Sequence, residues 1–202
     1  YRARATTVVV AGDLDTARGV ALVAQAFGAW TSAPTNGAGH RSVDAPEPRG
    51  RVLVVARPGA SQSELRVGQV SAARNTPDYH ALLLWNAVLG GQFVSRLNLN
   101  LRQAKGYTYG VRSGFDLRKG VGPFVLQTSV GTDSTADAVR EALRELSDIG
   151  SVRPATDDEV ALGLASVSKG CPRGFETAVQ VARSAAQLAL HGLADTYFEE
   201  FV

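Results

Sequence analysis

The sequence contains no methionine, one cysteine (Cys171) and three histidines. A lone cysteine excludes a disulfide scaffold and any cysteine-cluster zinc site. His40, His80 and His191 are scattered, none with a second histidine at the i, i+4 spacing that puts two ligands on one helical face, and no H-x-x-E-H occurs. The chain is therefore not expected to build a catalytic zinc site of its own. Long hydrophobic runs are missing too: Ala81-Leu82-Leu83-Leu84-Trp85 is far short of the ~20 residues a spanning helix needs. No glycine-rich fingerprint follows Val8-Val9-Val10-Ala11-Gly12-Asp13, and neither a phosphate-binding loop nor a G-x-S-x-G elbow is present. Lysine is scarce. Lys105, Lys119 and Lys169 are the three lysines among 21 cationic residues, which 19 acidic ones nearly balance. With no basic run interleaved with aromatics, nucleic acid is not an expected partner.

What is present is an ordinary globular composition, 45% hydrophobic and 20% charged over 202 residues, which excludes a disordered chain. The chain opens on Tyr1 and reads as a fragment of a longer polypeptide. Thr6 to Ala11 is a β-branched run that predicts a buried strand. Asp15 or Thr16 caps a helix to about Ala29, with Val20, Val23, Ala24 and Phe27 on one face. Residues 31–50, with Pro34, Pro46, Pro48 and Gly50, read as a linker. The domain plan is then 1–30 as the strand-and-helix tail of a preceding domain, 31–50 as linker, and 51–202 as a second domain. The apolar helix face at Val20, Val23 and Phe27 has to be covered by a neighbour.

Past the linker, Arg51 to Ala56 and Gln62 to Val70 predict two strands around Pro58-Gly59, the second alternating in polarity. Thr76-Pro77 predicts a helix start with Thr76 as cap, ending at Gly90-Gly91. A further helix carries Leu97, Leu99 and Leu101 and ends before Gly106. Tyr107–Leu117 and Pro123–Val130 predict a hairpin. Ser134 to Asp148 is an amphipathic helix with Ala138, Ala142, Leu143 and Leu146 inward. Thr156-Asp157-Asp158-Glu159 is a capping box, and a last helix spans about Phe175 to Leu190. This order predicts an α+β fold of two layers, a mainly antiparallel sheet with helices on one face.

The most informative stretch runs from Leu89 to Gly110. Arg102 falls in the last turn of a helix. Tyr107 and Tyr109, two apart on the strand expected from Tyr107, point to one of its faces. A guanidinium and a phenol near one sheet surface are donors suited to a carbonyl or a developing oxyanion. The competing reading is structural: Arg102 caps helix carbonyls and the tyrosines fill a half-buried sheet face. On the residues alone the structural reading is the stronger.

The runs Arg51-Val-Leu-Val-Val-Ala-Arg-Pro-Gly-Ala-Ser-Gln-Ser, Leu89-Gly-Gly, Ser95-Arg-Leu and Leu101-Arg-Gln-Ala-Lys-Gly-Tyr-Thr-Tyr-Gly together resemble the C-terminal region of pitrilysin/insulinase-family zinc metallopeptidases, especially the bacterial relatives of mitochondrial processing peptidase. Thr7-Val-Val-Val-Ala-Gly-Asp-Leu-Asp resembles the close of that family's first domain. The resemblance implies a clamshell of two halves around an unfolded peptide. One half carries H-x-x-E-H and the zinc. The other contributes an Arg and a Tyr seven positions apart that hold substrate, which match Arg102 and Tyr109; Tyr107 lies off that spacing and is carried only as a further substrate-binding candidate. The implied cofactor is zinc in the complementary half and none in this chain. The implied partners are that half, in the same polypeptide or a separate subunit, and a peptide. The resemblance further implies a bacterial protein of the periplasm or cell envelope, with the cytoplasm as alternative. The alternative function is a catalytically inactive assembly or scaffold subunit, like the core proteins of the respiratory cytochrome complex.

Overall fold

A computed structural model describes residues 2–32 and 50–201. His40 and residues 33–49 of the expected linker lie outside them. The chain forms two compact units, one of Tyr1–Ser42 with Ser168–Val202, the other of Val43–Val167.

In the first unit, helix α1 (Thr16–Phe27) starts where its cap was expected: Arg18 N donates to Asp15 Oδ1 at 2.8 Å. None of its residues is buried, and Val20 remains 64% exposed. The strand expected over residues 6–11 does not form; Val8 and Val10 are exposed, and no described strand pairs with them. A strand is a pairing, and β-branched residues favour one only where a neighbouring edge is present. The last helix of the chain, called α5 below, spans Ala178–His191, later than expected, because Cys171–Phe175 forms a separate tight turn with Pro172 near its start. Thr177 Oγ1 accepts from Gln180 N and caps α5, and Gly192, at φ 64°, ends it. Phe198, past its end, meets Phe175 from before its start and the neighbouring Tyr197 edge to face.

The second unit holds the sheet. Strands β1 (Gln62–Val70), β2 (Val111–Phe115) and β3 (Pro123–Gly131) lie in the order β1-β3-β2, all antiparallel. β2 and β3 form the expected hairpin. Period-2 alternation splits the sheet cleanly. Leu65 and Val67 from β1, Val111 and Ser113 from β2, and Phe124, Leu126, Thr128 and Val130 from β3 face inward. Glu64, Arg66, Arg112, Gln127 and Ser129 form the outer face, where Ser129 bonds Glu64. Helix α2 (Tyr79–Asn86), its π-helical continuation Ala87–Gly91, and α3 (Thr135–Asp148) cover the inner face. Leu89, Leu97, Leu101, Leu126 and Val130 at their junction have no exposed surface. This is the expected two-layer α+β fold.

Several local expectations change. α2 starts at Tyr79, because Thr76 Oγ1 accepts from Asp78 N and closes a turn before the helix instead of capping it. The helix expected around Leu97–Leu101 is π-wound from Asn98 to Ala104. Leu143 faces out at 48% exposure, while Ala138 and Ala142 are buried and Leu146 packs on the core. Residues 51–56 join no described strand, and Val52 to Val55 are all at least 76% exposed. Helix α4 (Asp157–Gly170) opens on the expected capping box: Thr156 N donates to Glu159 Oε2 at 2.9 Å and Glu159 N to Thr156 Oγ1 at 3.3 Å.

Candidate functional site

The segment from Leu89 to Gly110 is anchored by groups that the sequence motif displays but does not explain. At Gly90 a Cβ would sit 2.4 Å from Ser113 Oγ and 2.8 Å from a Leu97 methyl, so only glycine lets this turn approach β2. Ser95 and Arg96 follow, both buried. Arg96 is engaged at every nitrogen. Its Nε and Nη2 grip Glu159 Oε1 and Oε2, each at 2.6 Å, and its other donors reach the carbonyls of Arg153 and Pro154. The fork-to-fork geometry is the strongest form of such a pair. It holds the Glu159 carboxyl down to about 2, with Thr156 N helping against the opposing effect of burial. The Arg96 guanidinium is correspondingly raised, chiefly by its bond to Glu159.

Asn98 replaces a strand. Its Oδ1 accepts from Val111 N and its Nδ2 donates to Val111 O, both at 2.9 Å, so a side-chain amide satisfies the start of β2. Asn100 donates to Glu141 at 2.9 Å and to Glu145 at 2.7 Å, and Arg153 meets the buried Glu145 at 2.9 Å. The Asn100 bond, with Lys105 nearby, holds the Glu141 carboxyl below its ordinary range.

On this frame sit the residues singled out from sequence. Arg102 lies half-buried in the last turn of the π-helical segment, its guanidinium carbon 4.1 Å from the centroid of the Phe93 ring. Its side chain does not cap the helix. The terminal carbonyls of Asn100, Leu101 and Arg102 accept from the backbone N–H of Lys105, Tyr107 and Gly106 instead, with Gly106 at φ 67° turning the chain. No hydrogen-bond acceptor or carboxylate engages the Arg102 guanidinium among the described residues.

Tyr107 and Tyr109 do not share a strand face, because β2 begins only at Val111. Tyr107 packs partly buried against the core, its carbonyl accepting from Gly131 N at 3.3 Å. Tyr109 is 91% exposed. The backbone around it is stapled: Gly110 N donates to Thr108 Oγ1 at 3.1 Å, and Thr128 Oγ1 lies 2.9 Å from both Thr108 Oγ1 and Gly110 O. Those hydroxyls take the backbone groups that a longer strand would have paired. A bare phenol thus stands on a fixed turn. Sequence reasoning missed Phe93, whose nine-residue separation from Arg102 fits no helix or strand spacing. Its one signal was an aromatic placed directly after Gly90-Gly91-Gln92.

No group of three or more His, Cys, Asp or Glu side chains among the described residues is arranged to hold a metal ion.

Residues 1–165 match the family described as the peptidase M16 inactive domain. No curated protein gives a significant match to the chain. Among solved structures, the peptidase M16 inactive domain from Pseudomonas fluorescens is similar at 24% identity and TM-score 0.79, covering 94% of this chain and 44% of that one. A protease from Helicobacter pylori is similar at 17% identity and TM-score 0.80, over 94% of this chain and 47% of that one. The periplasmic protease PqqL from Escherichia coli is similar at 15% identity and TM-score 0.63, over 94% of this chain and 21% of that one. At such identities the likeness is one of fold, and this chain spans less than half the length of each. The match takes in the whole segment from Gly90 to Tyr109, and the chain belongs to the peptidase M16 inactive-domain family.

Proposed function

We propose that this chain is the metal-free, substrate-binding part of a pitrilysin-type zinc endopeptidase, in which Arg102 and Tyr109 hold a peptide beside the zinc of a complementary half. The observation that carries the reading is Arg102, a guanidinium on a segment anchored by buried hydrogen bonds yet without an acceptor of its own among the described residues. Arg96, which the fold needs, is bonded at all three nitrogens; an arginine whose donors are left open is available to a ligand. Tyr109 adds a phenol 91% exposed on a stapled turn. Both groups donate hydrogen bonds, to a peptide carbonyl or to the oxyanion that develops from it.

Extended peptide suits this frame because β1 and β2 are the edges of a three-stranded sheet, where main-chain bonding gives loose sequence preference. Zinc and its ligands belong to the complementary half. The domain boundary at 31–50, with residues 1–30 closing a preceding domain, belongs to the same proposal, supported by the exposed face of α1. So does a periplasmic location, supported by the likeness to PqqL; no described helix is long and apolar enough to cross a membrane.

The test is cleavage of an internally quenched, unstructured peptide with the zinc-bearing half supplied. Arg102→Ala and Tyr109→Phe are expected to lower kcat/KM by ~10²-fold, since one oxyanion donor commonly supplies that much. Tyr107→Phe is the control, expected within about twofold because its ring packs on the core. Wild-type rates from both Arg102→Ala and Tyr109→Phe would defeat the reading and favour a scaffold subunit.

A further inference from the structure

We propose that Phe93 is a positioning residue for peptide binding, acting through Arg102. The inference rests on the function proposed above and adds a residue that neither the motif nor the family match assigns. Phe93 is 66% exposed, which is unusual for a phenylalanine beside a closed core, and among the described residues it is not one of the side chains packed on that core. What it touches is the Arg102 guanidinium, 4.1 Å from its centroid. A guanidinium lying over an aromatic face is held in plane by the ring quadrupole, and its N–H edges stay free for an acceptor. Arg102 has no carboxylate or carbonyl to orient it among the described residues, so the ring is its one identified constraint. The base beneath is firm. Phe93 lies between two π-wound segments, Ala87–Gly91 and Asn98–Ala104, and π-turns recur at functional sites. Gly90 locks the first against β2, and Arg96 and Asn98 lock the second. A long side chain that would otherwise sample many rotamers thus presents its donors in one direction before substrate arrives, and the entropy of ordering it is not lost on binding.

The experiment is a double-mutant cycle on peptide cleavage, with the zinc-bearing half supplied. Phe93→Leu keeps an apolar side chain and removes the π-face; Phe93→Tyr keeps the face. Phe93→Leu is expected to lower kcat/KM roughly 3–10-fold, Phe93→Tyr to stay within about twofold, and both to melt as the wild type does. In an Arg102→Ala background Phe93→Leu is expected to cost nothing further, because its effect runs through the guanidinium. Undiminished activity of Phe93→Leu, or an equal added loss in the Arg102→Ala background, would overturn the positioning role while leaving Arg102 as a binding residue. If Arg102→Ala itself cleaves at the wild-type rate, the function proposed for Arg102 fails and this inference falls with it.

Discussion

Arg96 and Arg102 are six residues apart on one segment and carry the same group, yet they stand at opposite limits of what an arginine can do. Arg96 is 6% exposed and spends its donors on Glu159 and two backbone carbonyls. Arg102 is half-buried, rests on an aromatic ring and engages no acceptor among the described residues. The first fastens the start of α4 to the residues that lead into the π-wound turn Asn98–Ala104; the second fastens no described element. In a motif where every residue looks alike as text, saturation of hydrogen-bonding capacity separates the residue that makes the fold from the one open to a ligand.

The comparison breaks most readily at Arg96. Arg96→Ala strips the partly buried Glu159 of its partner and orphans two carbonyls. It should cost roughly 3–5 kcal/mol of unfolding free energy, read from urea denaturation. A loss below about 1 kcal/mol would put Arg96 in the same class as Arg102. Next comes Gly90→Ala, whose added methyl meets Ser113 and Leu97; overpacking of this kind should cost roughly 1–3 kcal/mol. Acid gives a smaller effect. The Glu159 carboxyl is lowered in the fold to about 2 from an ordinary 4.5, so its contribution is fully present above about pH 4.5 and is lost as pH falls towards 2. Discounted for the solvent reaching Glu159, the loss should be roughly 1–2 kcal/mol. It should be missing from the acid titration of Glu159→Gln. The smallest effect on stability is expected at the candidate site: Arg102→Ala and Tyr109→Phe should each stay within about 0.5 kcal/mol of wild type. A much larger loss at Arg102 would return it to a structural role.

How much of this was legible depended on the range of the interaction. The capping box at Thr156–Glu159, the cap at Asp15 and the hairpin of β2 and β3 involve residues close in sequence, and each formed as read. The inward positions Ala138 and Ala142 followed from helical periodicity, whereas Leu143, one position on, turned out. The first strand and the run at 51–56 were misread because strand propensity says nothing of whether an edge waits beside it. The start of β2 was misplaced because Asn98, Thr108 and Thr128 replace ladder bonds with side-chain bonds, which no polarity pattern announces. For the candidate site, Arg102 and Tyr109 were singled out through the family resemblance, and their environments were not legible. The assumption that Tyr107 and Tyr109 look the same way failed once the strand between them vanished. Phe93 lay outside every periodic relation and became visible only as a ring under a guanidinium.

The run Val52-Leu53-Val54-Val55 has one more consequence. Five apolar residues from Val52 to Ala56, rich in β-branched side chains, carry no charge and stand open to solvent. Such a segment is of the kind that stacks into intermolecular β-structure. Its borders, however, are Arg51 on one side and Arg57-Pro58 on the other. Like charges brought into register by stacking repel, and proline ends a ladder, so these three residues act as gatekeepers at the two ends of the segment. Neutralising Arg51 and Arg57 would leave the folded units as they are and shorten the time this protein stays clear in concentrated solution.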